Sequence, residues 1–339
     1  MAEKYTISTQ ILLPVIEQLR ERGFRARPLL EKLSIDPKLL DDVNETVSLN
    51  QYIALFEAAA EITSQPHFGL EAGKKITADS LGVLGFLFDS APTLEDALIG
   101  LSKFLGALQE GTHMILKKEE DVVRYEYQIL DSQINPRRQD TEYSIAATLT
   151  LIRRYVGTEF KPIEISFEHD RVGSHSFYEH QFGCHVFFQQ GTNYILFDKK
   201  TLELGSPNIS NKLYSIIASH LSEILAKKST LTSTSDKVQS LLTAQMLENG
   251  ATVTKLANKL GISESTLARR LKKEDTNFNE ILTAKRMDLA QHLLVNSDSS
   301  ISQIAMRIGY SENASFTRAF KNFTQQTPDQ YRREYKRPK

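Results

Sequence analysis

The spacing of hydrophobic positions changes twice along this chain. Between residues 8 and 64 apolar side chains recur three and four apart. Ile11, Leu12, Val15, Ile16 and Leu19 form one stripe, and Tyr52, Ile53, Leu55, Phe56, Ala59 and Ala60 form another between Asn50 and Ile62. That spacing predicts helices with one buried face. Pro28–Leu33 and Pro37–Leu40 open on proline, which suits the first turn of a short helix. Leu81–Phe88 is apolar but too short to cross a membrane, so it predicts a buried segment. Thr93, with Glu95 and Asp96 in the first turn, caps a helix that carries Leu98, Leu101, Phe104 and Leu105. The period then falls to two. Thr112–Lys118 and Val122–Leu130 predict paired strands, with Met114, Leu116, Val123, Tyr125 and Tyr127 alternating against polar residues. Thr141–Val156 predicts a helix, Ile163–His169 a strand, and Val186–Phe188 with Tyr194–Phe197 a hairpin-like pair. Together these predict an α+β domain over residues 1–205.

From there on the pattern is helical throughout. Ile209, Leu213, Ile216, Ile217, Leu221, Ile224 and Leu225 give an amphipathic helix over 208–228, whose stripe either packs on the core or forms a dimer seam. Polar Ser229–Ser235 predicts a linker, so residues 206–235 connect to a second, all-α domain over 236–339. That domain contains one pattern twice. Val253, Leu256, Ala257, Leu260 and Gly261 match Ile301, Ile304, Ala305, Ile308 and Gly309 at an offset of 48 positions. Leu267, Arg269 and Leu271 match Phe316, Arg318 and Phe320 at 49. Each copy reads as a helix, a glycine stop and a second helix: helix-turn-helix motifs at about 253–274 and 301–323, joined by a long helix from Phe278 to Val295. Ser300 with Gln303 forms a capping box, and Thr327 with Pro328 starts a closing helix. The last copy's second helix is predicted to begin at Ser311 and to bury Phe316, Phe320 and Phe323.

Charge sharpens this division. The 339 residues sum to −1, but residues 231–339 carry 17 Lys+Arg against 11 Asp+Glu, a net of +6, which leaves −7 for the rest. A basic end on an acidic body points to nucleic-acid binding by the C-terminal domain. Burying Leu267 and Leu271 turns Ser265, Ala268, Arg269 and Lys272 outward, flanked by Thr266, Arg270 and Lys273. In the later copy Asn313, Ala314, Ser315, Thr317, Arg318 and Lys321 take the outer positions. The arginine forks match the acceptors of guanine, whereas Lys272 and Lys321 suit phosphate. Arg318 could instead hold the fold through an internal ion pair.

The C-terminal stretch resembles the signature of the AraC/XylS family of bacterial transcription regulators through Ile301, Ile304, Ala305, Gly309, Tyr310, Phe316, Arg318, Phe320, Lys321, Thr327, Pro328, Tyr331 and Arg332. It departs at Gln325 and Asp275, where the family usually has glycine. Three further stretches, in order, are similar to the arabinose-binding-type N-terminal domain of the branch that includes regulators of ornithine use. They are Pro14 with Arg27-Pro-Leu-Leu30, Gly82–Leu87 with Pro92–Leu98, and His180–Phe188 ending in Leu196-Phe-Asp198. The resemblance implies promoter operators in double-stranded DNA, RNA polymerase as a partner, an unidentified small-molecule effector, a homodimer and no cofactor.

Other chemistry is thin. His169, His175, His180, Cys184 and His185 lie close in sequence, but their spacing fits no common zinc pattern. Lys117, Arg137, Arg153, Lys199 and Lys227 read as solvated charges. No nucleophile elbow, phosphate loop or dinucleotide fingerprint is present. An enzyme carrying a DNA-binding module, such as an alkyl-transfer repair protein, would need a reactive cysteine, and Cys184 sits in Gly-Cys-His-Val rather than Pro-Cys-His-Arg. A ligand-independent DNA binder would leave the acidic body without a use. With no signal-peptide core and no apolar run of about 18 residues, a soluble cytoplasmic protein is expected.

Overall fold

The computed structural model describes residues 5–41, 45–131, 133–206, 209–231, 234–242, 247, 250–297 and 299–335. The chain divides into two compact units, residues 1–130 with 134–226 and residues 131–133 with 227–339.

In the first unit the segment 8–64, read as helical, also contains a strand, β2 (Thr46–Ser48), which pairs antiparallel with β1 (Thr6–Ser8) at the segment's start. Three residues are too few to display alternation, so periodicity misses them. Around it lie α1 (Leu13–Glu21), α2 (Ala26–Lys32), α3 (Leu49–Ile62), α4 (Phe68–Lys74), α5 (Val83–Ser90) and α6 (Leu94–Leu108). A capping box starts α3: Ser48 Oγ accepts from Gln51 N at 3.2 Å and Gln51 Oε1 from Ser48 N at 3.1 Å. Thr93 caps α6 by accepting from Asp96 N at 3.1 Å. The apolar Leu81–Phe88 segment is not all buried. Leu84, Leu87 and Phe88 face inward, whereas Phe86 is 45% exposed, because a surface helix buries one face only.

The sheet follows: β3 (Thr112–Lys118), β4 (Val122–Ile129), β5 (Glu164–Ser166), β6 (His185–Phe187) and β7 (Asn193–Asp198), in the order β3-β4-β7-β5-β6. The predicted pairing of the last two strands is wrong. β5 lies between them, antiparallel to β7 and parallel to β6. The connecting loop clasps the end of β5, with Gln190 N bonding Phe167 O at 2.9 Å and Gln189 N bonding His169 O at 3.1 Å, so it cannot fold back on β6. Between β4 and β5 runs α7 (Arg138–Val156), and α8 (His175–Phe182) follows β5. Helix α7 is almost wholly buried and lies against α4 at backbone contact. A Cβ on Gly69 would come within 1.9 Å of Gln139 O, and one on Gly73 within 2.5 Å of Tyr143 O. Val123, Tyr125, Ile165, Phe167, Ile195 and Phe197 fill the core from the sheet.

Several charges taken as solvated are built into this unit. Lys117 Nζ meets buried Glu126 at 2.7 Å, Arg137 Nε meets Glu168 at 2.8 Å, Arg153 donates to Phe160 O and Phe182 O, and Lys199 donates to Glu119 O and Glu120 O. Side-chain periodicity cannot reveal such pairs, because the partners lie far apart in sequence. Lys227 lies outside the residues whose side chains are described.

The chain leaves this unit along α9 (Asn211–Leu231). Its stripe divides: Leu221 is buried and Ile217, Ile224 and Leu225 are half-buried, but Leu213 and Ile216, with Ile209 just before the helix, are 43%, 57% and 46% exposed. The expected Ser229–Ser235 linker is helical up to Leu231 and again from Thr234, where α10 (Thr234–Leu241) begins; residues 232–233 lie outside the described residues. The second unit continues with α11 (Val253–Lys259), α12 (Glu264–Lys273), α13 (Phe278–Asn296), α14 (Ile301–Arg307), α15 (Asn313–Thr324) and α16 (Pro328–Tyr335). It has two apolar clusters, one around Leu256, Leu267 and Leu271, the other around Ile304, Phe316 and Phe320; Leu289 on α13 packs against both.

Candidate nucleic-acid interface

The two copies are built by the same local bonds. Thr252 caps α11 by accepting from Lys255 N at 3.3 Å, and Ser300 caps α14 by accepting from Gln303 N at 3.2 Å. Each first helix stops on a left-handed glycine, Gly261 at φ +65° and Gly309 at φ +83°. The next residue then bonds back into the helix: Ile262 N to Ala257 O at 3.1 Å, and Tyr310 N to Ala305 O at 2.9 Å. These turns fix how the second helices, α12 and α15, leave the first ones.

The second helices start differently. Ser263 caps α12 by accepting from Thr266 N at 3.2 Å, whereas Glu312 stands at the equivalent place on α15 without a side-chain cap. The helix predicted from Ser311 accordingly begins at Asn313. Inward, Leu267, Leu271, Phe316 and Phe320 are buried at 1% exposure or less. Phe323, predicted to join them, is 47% exposed. It shares their helical face, but it is not among the residues packed on that cluster, and angle alone buries nothing without a neighbour.

Outward, Ser265, Ala268, Arg269, Arg270, Lys272 and Lys273 on α12 are exposed, as are Asn313, Ala314, Ser315, Arg318 and Lys321 on α15. Thr266 and Thr317 are half-buried at the edges of these faces. Thr266 Oγ1 lies 2.8 Å from Ser263 Oγ, and Asn313 Nδ2 donates to Ser302 Oγ at 3.2 Å. Arg269 and Arg318 have no ion-pair or hydrogen-bond partner among the described residues, so Arg318 is not holding the fold through an ion pair there. Both forks are free to meet a ligand.

Three supports were not foreseen from sequence. The Arg286 guanidinium sits 5.1 Å from the centre of the Tyr310 ring, yet nothing in its position separates it from its neighbour Lys285. Glu274, just past α12, caps the start of α10 by accepting from Thr234 N at 2.7 Å and Ser235 N at 2.8 Å. Burial works against its charge, but these backbone bonds outweigh it and hold the carboxyl below its ordinary range. Arg332 ties α16 to the end of α13, donating to Leu294 O at 3.3 Å and Ser299 O at 2.6 Å.

Asp275 and Gln325, the residues at the family's glycine positions, both adopt the left-handed conformation, at φ +53° and +64°. Elsewhere, burial pushes the Cys184 thiol up to about 12, so it is protonated near neutrality rather than nucleophilic. Among the described residues no helix is long and apolar enough to cross a membrane.

Comparison with known proteins agrees with this architecture. The family model described as "Arabinose-binding domain of AraC transcription regulator, N-term" matches residues 23–205, and a helix-turn-helix domain model matches residues 256–334. The chain is 25% identical to the HTH-type transcriptional regulator VirS of Mycobacterium tuberculosis over 319 residues, covering 93% of this chain and 92% of VirS. It is 22% identical to the ornithine utilization regulator of Pseudomonas aeruginosa over 320 residues, covering 94% of each. Over 103 residues, 30% of this chain and 38% of the other, it is 38% identical to the HTH-type transcriptional activator CsvR of Escherichia coli. The chain is thus a DNA-binding transcription regulator, and it belongs to the AraC family whose N-terminal domain is of the arabinose-binding type.

Proposed function

We propose that the chain is a transcription activator that docks both second helices on one promoter operator, homodimerises through its first unit and answers to a small molecule held there. One observation carries the reading of the operator: Arg269 and Arg318 are exposed, and unpaired among the described residues, at equivalent places on duplicated helices. Each fork suits the O6 and N7 acceptors of a guanine in the major groove. Ser265, Thr266, Ala268, Asn313, Ala314, Ser315 and Thr317 lie close enough to touch neighbouring base edges or sugars, and Arg270, Lys272, Lys273 and Lys321 meet phosphates. With small side chains at Ser265 and Ala268, the first copy reads few bases. The net +6 of residues 231–339 supplies the attraction. The likeness to CsvR over the C-terminal third supports activation, hence contact with RNA polymerase. The effector biases the arrangement of protomers on DNA.

Binding to a library of operator variants tests the assignment. Arg269→Ala and Arg318→Ala should each cost about 1–3 kcal/mol and relax preference at one base pair, the two positions lying about 10 base pairs apart. Lys272→Ala and Lys321→Ala should weaken every sequence alike and lower the salt slope by about one. An even loss across the library for Arg318→Ala would make it a phosphate contact and end the symmetry argument.

A further inference from the structure

The first unit encloses a cavity of about 40 Å³ between α6 and α7, closed by β3 and β4. Leu101 and Leu105 of α6 and Leu151 of α7 make its apolar wall. Gln109, Tyr127, Tyr143, Ser144 and Thr148 supply its polar lining. Of these groups, Tyr127 O–H donates to Asp140 Oδ2 at 2.7 Å, and Gln109 Nε2 donates to the Tyr127 oxygen at 3.5 Å. Tyr143 is 4% exposed and its hydroxyl has no partner among the described residues. A buried hydroxyl without a partner costs the fold stability; this one is sealed from water, so a ligand oxygen reaches it and repays that cost only as the Tyr143 ring shifts.

We propose that this cavity is the effector site, and that it takes the end of an uncharged aliphatic molecule whose single hydroxyl or carbonyl oxygen bonds Tyr143. The assignment rests on the reading that an effector is held in this unit, and it names where and what kind. Size sets one limit. At about 10–15 Å³ per water-sized group the cavity holds about three non-hydrogen atoms. Leu81 and Met114 are its half-buried lining residues, so anything longer leaves past one of them. Met114 is unbranched and can swing aside at little cost. Charge sets the other limit. No lysine or arginine lines the cavity among the described residues, so an anion would lose its hydration with no partner to offset it. A cation finds no better partner, since burial raises the Asp140 carboxyl behind Tyr127 to about 7, and that group does not itself line the cavity. The walls also lead towards the chain's exit. Helix α6 carries α9, through Tyr214 O–H donating to Asp96 O at 3.1 Å and Leu225 lying against Gly106.

The test uses the full chain with three probes of one length: 1-propanol, propionate and propylammonium. Ligand-observed NMR should detect saturable binding of 1-propanol and none of the two ions. Ala147→Leu, which grows a side chain from the α7 wall, should weaken that binding at least tenfold. Tyr143→Phe, which keeps the ring and removes the hydroxyl, should weaken it at least threefold. Ala147→Val replaces the leucine variant if circular dichroism shows that one unfolded. Absence of saturable propanol binding, equal binding of the ions, or binding indifferent to the filled cavity overturns the proposal. Operator affinity measured on the same samples separates the two claims. If it responds to other metabolites while propanol does not bind, the cavity assignment falls and effector control stands. If propanol binds as described and operator affinity is unmoved, the cavity stands as a ligand site and the effector role assigned to it is overturned.

Discussion

Gln325 holds a left-handed turn that glycine would make without strain. Its amide bonds Lys321 O at 2.8 Å, closing α15, and its side chain donates to Asn322 O at 3.1 Å. A left-handed non-glycine residue costs about 1–2 kcal/mol, while glycine in its place frees the unfolded chain by about 0.4–1 kcal/mol. Gln325→Gly should therefore stabilise the second unit by about 0.5–1 kcal/mol in denaturant melts; a loss would mean the side-chain bond outweighs the backbone strain. The family's glycine at this position pointed to a left-handed turn, and Gln325 makes it at φ +64°. A second residue-scale expectation concerns Asp140, fully buried and raised by burial to about 7. A carboxyl with its folded pKa above its unfolded value supports the fold fully only below the ordinary carboxylate range, and that support is lost as pH climbs through 7. Asp140→Asn keeps an acceptor for Tyr127 and cannot ionise. Its stability relative to the parent should rise between pH 4 and pH 8, and a difference that stays flat would place the titration elsewhere. The parent's own pH profile is a poorer guide, because half-buried His67 and His169 are shifted down by burial and act in the opposite sense.

Among the elements, the paired glycine turns separate what a sequence repeat shows from what packing adds. Gly261 and Gly309 occupy the same place in the two copies and share a positive φ. A Cβ on Gly261 would meet nothing within 4 Å, whereas on Gly309 it would come within 2.2 Å of Leu247 O. Gly261→Ala should cost only the backbone strain, about 1–2 kcal/mol, and Gly309→Ala about 2–5 kcal/mol once the clash is added. Equal losses in thermal melts would show that the turn at Gly309 relaxes away from Leu247. The helices of both motifs were readable because burial imposes a period on 7 to 12 consecutive residues and a glycine stop follows each first helix. What was not readable depends on partners remote in sequence: the β5 strand between β6 and β7, the ladder of β1 with β2, and the exposure of Phe323. The outward faces of α12 and α15 follow from their buried ones, so the exposure of the candidate residues was legible, except at half-buried Thr266 and Thr317. The cavity between α6 and α7 was not, since an alternating or helical pattern gives no measure of the space left between two faces.

At the level of the whole molecule, the exposed stripe Ile209, Leu213 and Ile216 is the apolar face that a second copy would cover. Ile216→Glu places a charge in that face while leaving buried Leu221 untouched. Sedimentation at micromolar concentration should find the parent dimeric and the variant monomeric; a parent that sediments as a monomer, with or without DNA, would remove the homodimer from the reading. The 19-residue helix α13 has a different consequence. Because Leu289 packs against both apolar clusters, α13 acts as a ruler between the two candidate recognition surfaces. Adding one residue to it would turn them by about 100° while advancing them about 1.5 Å. On DNA with about 10 base pairs per turn and 3.4 Å per step, that turn equals about three base pairs and that advance less than half of one. No whole number of base pairs satisfies both. If both surfaces contact one operator, as proposed, its sequence can drift, but the distance between the two contacted segments is locked to the length of one helix.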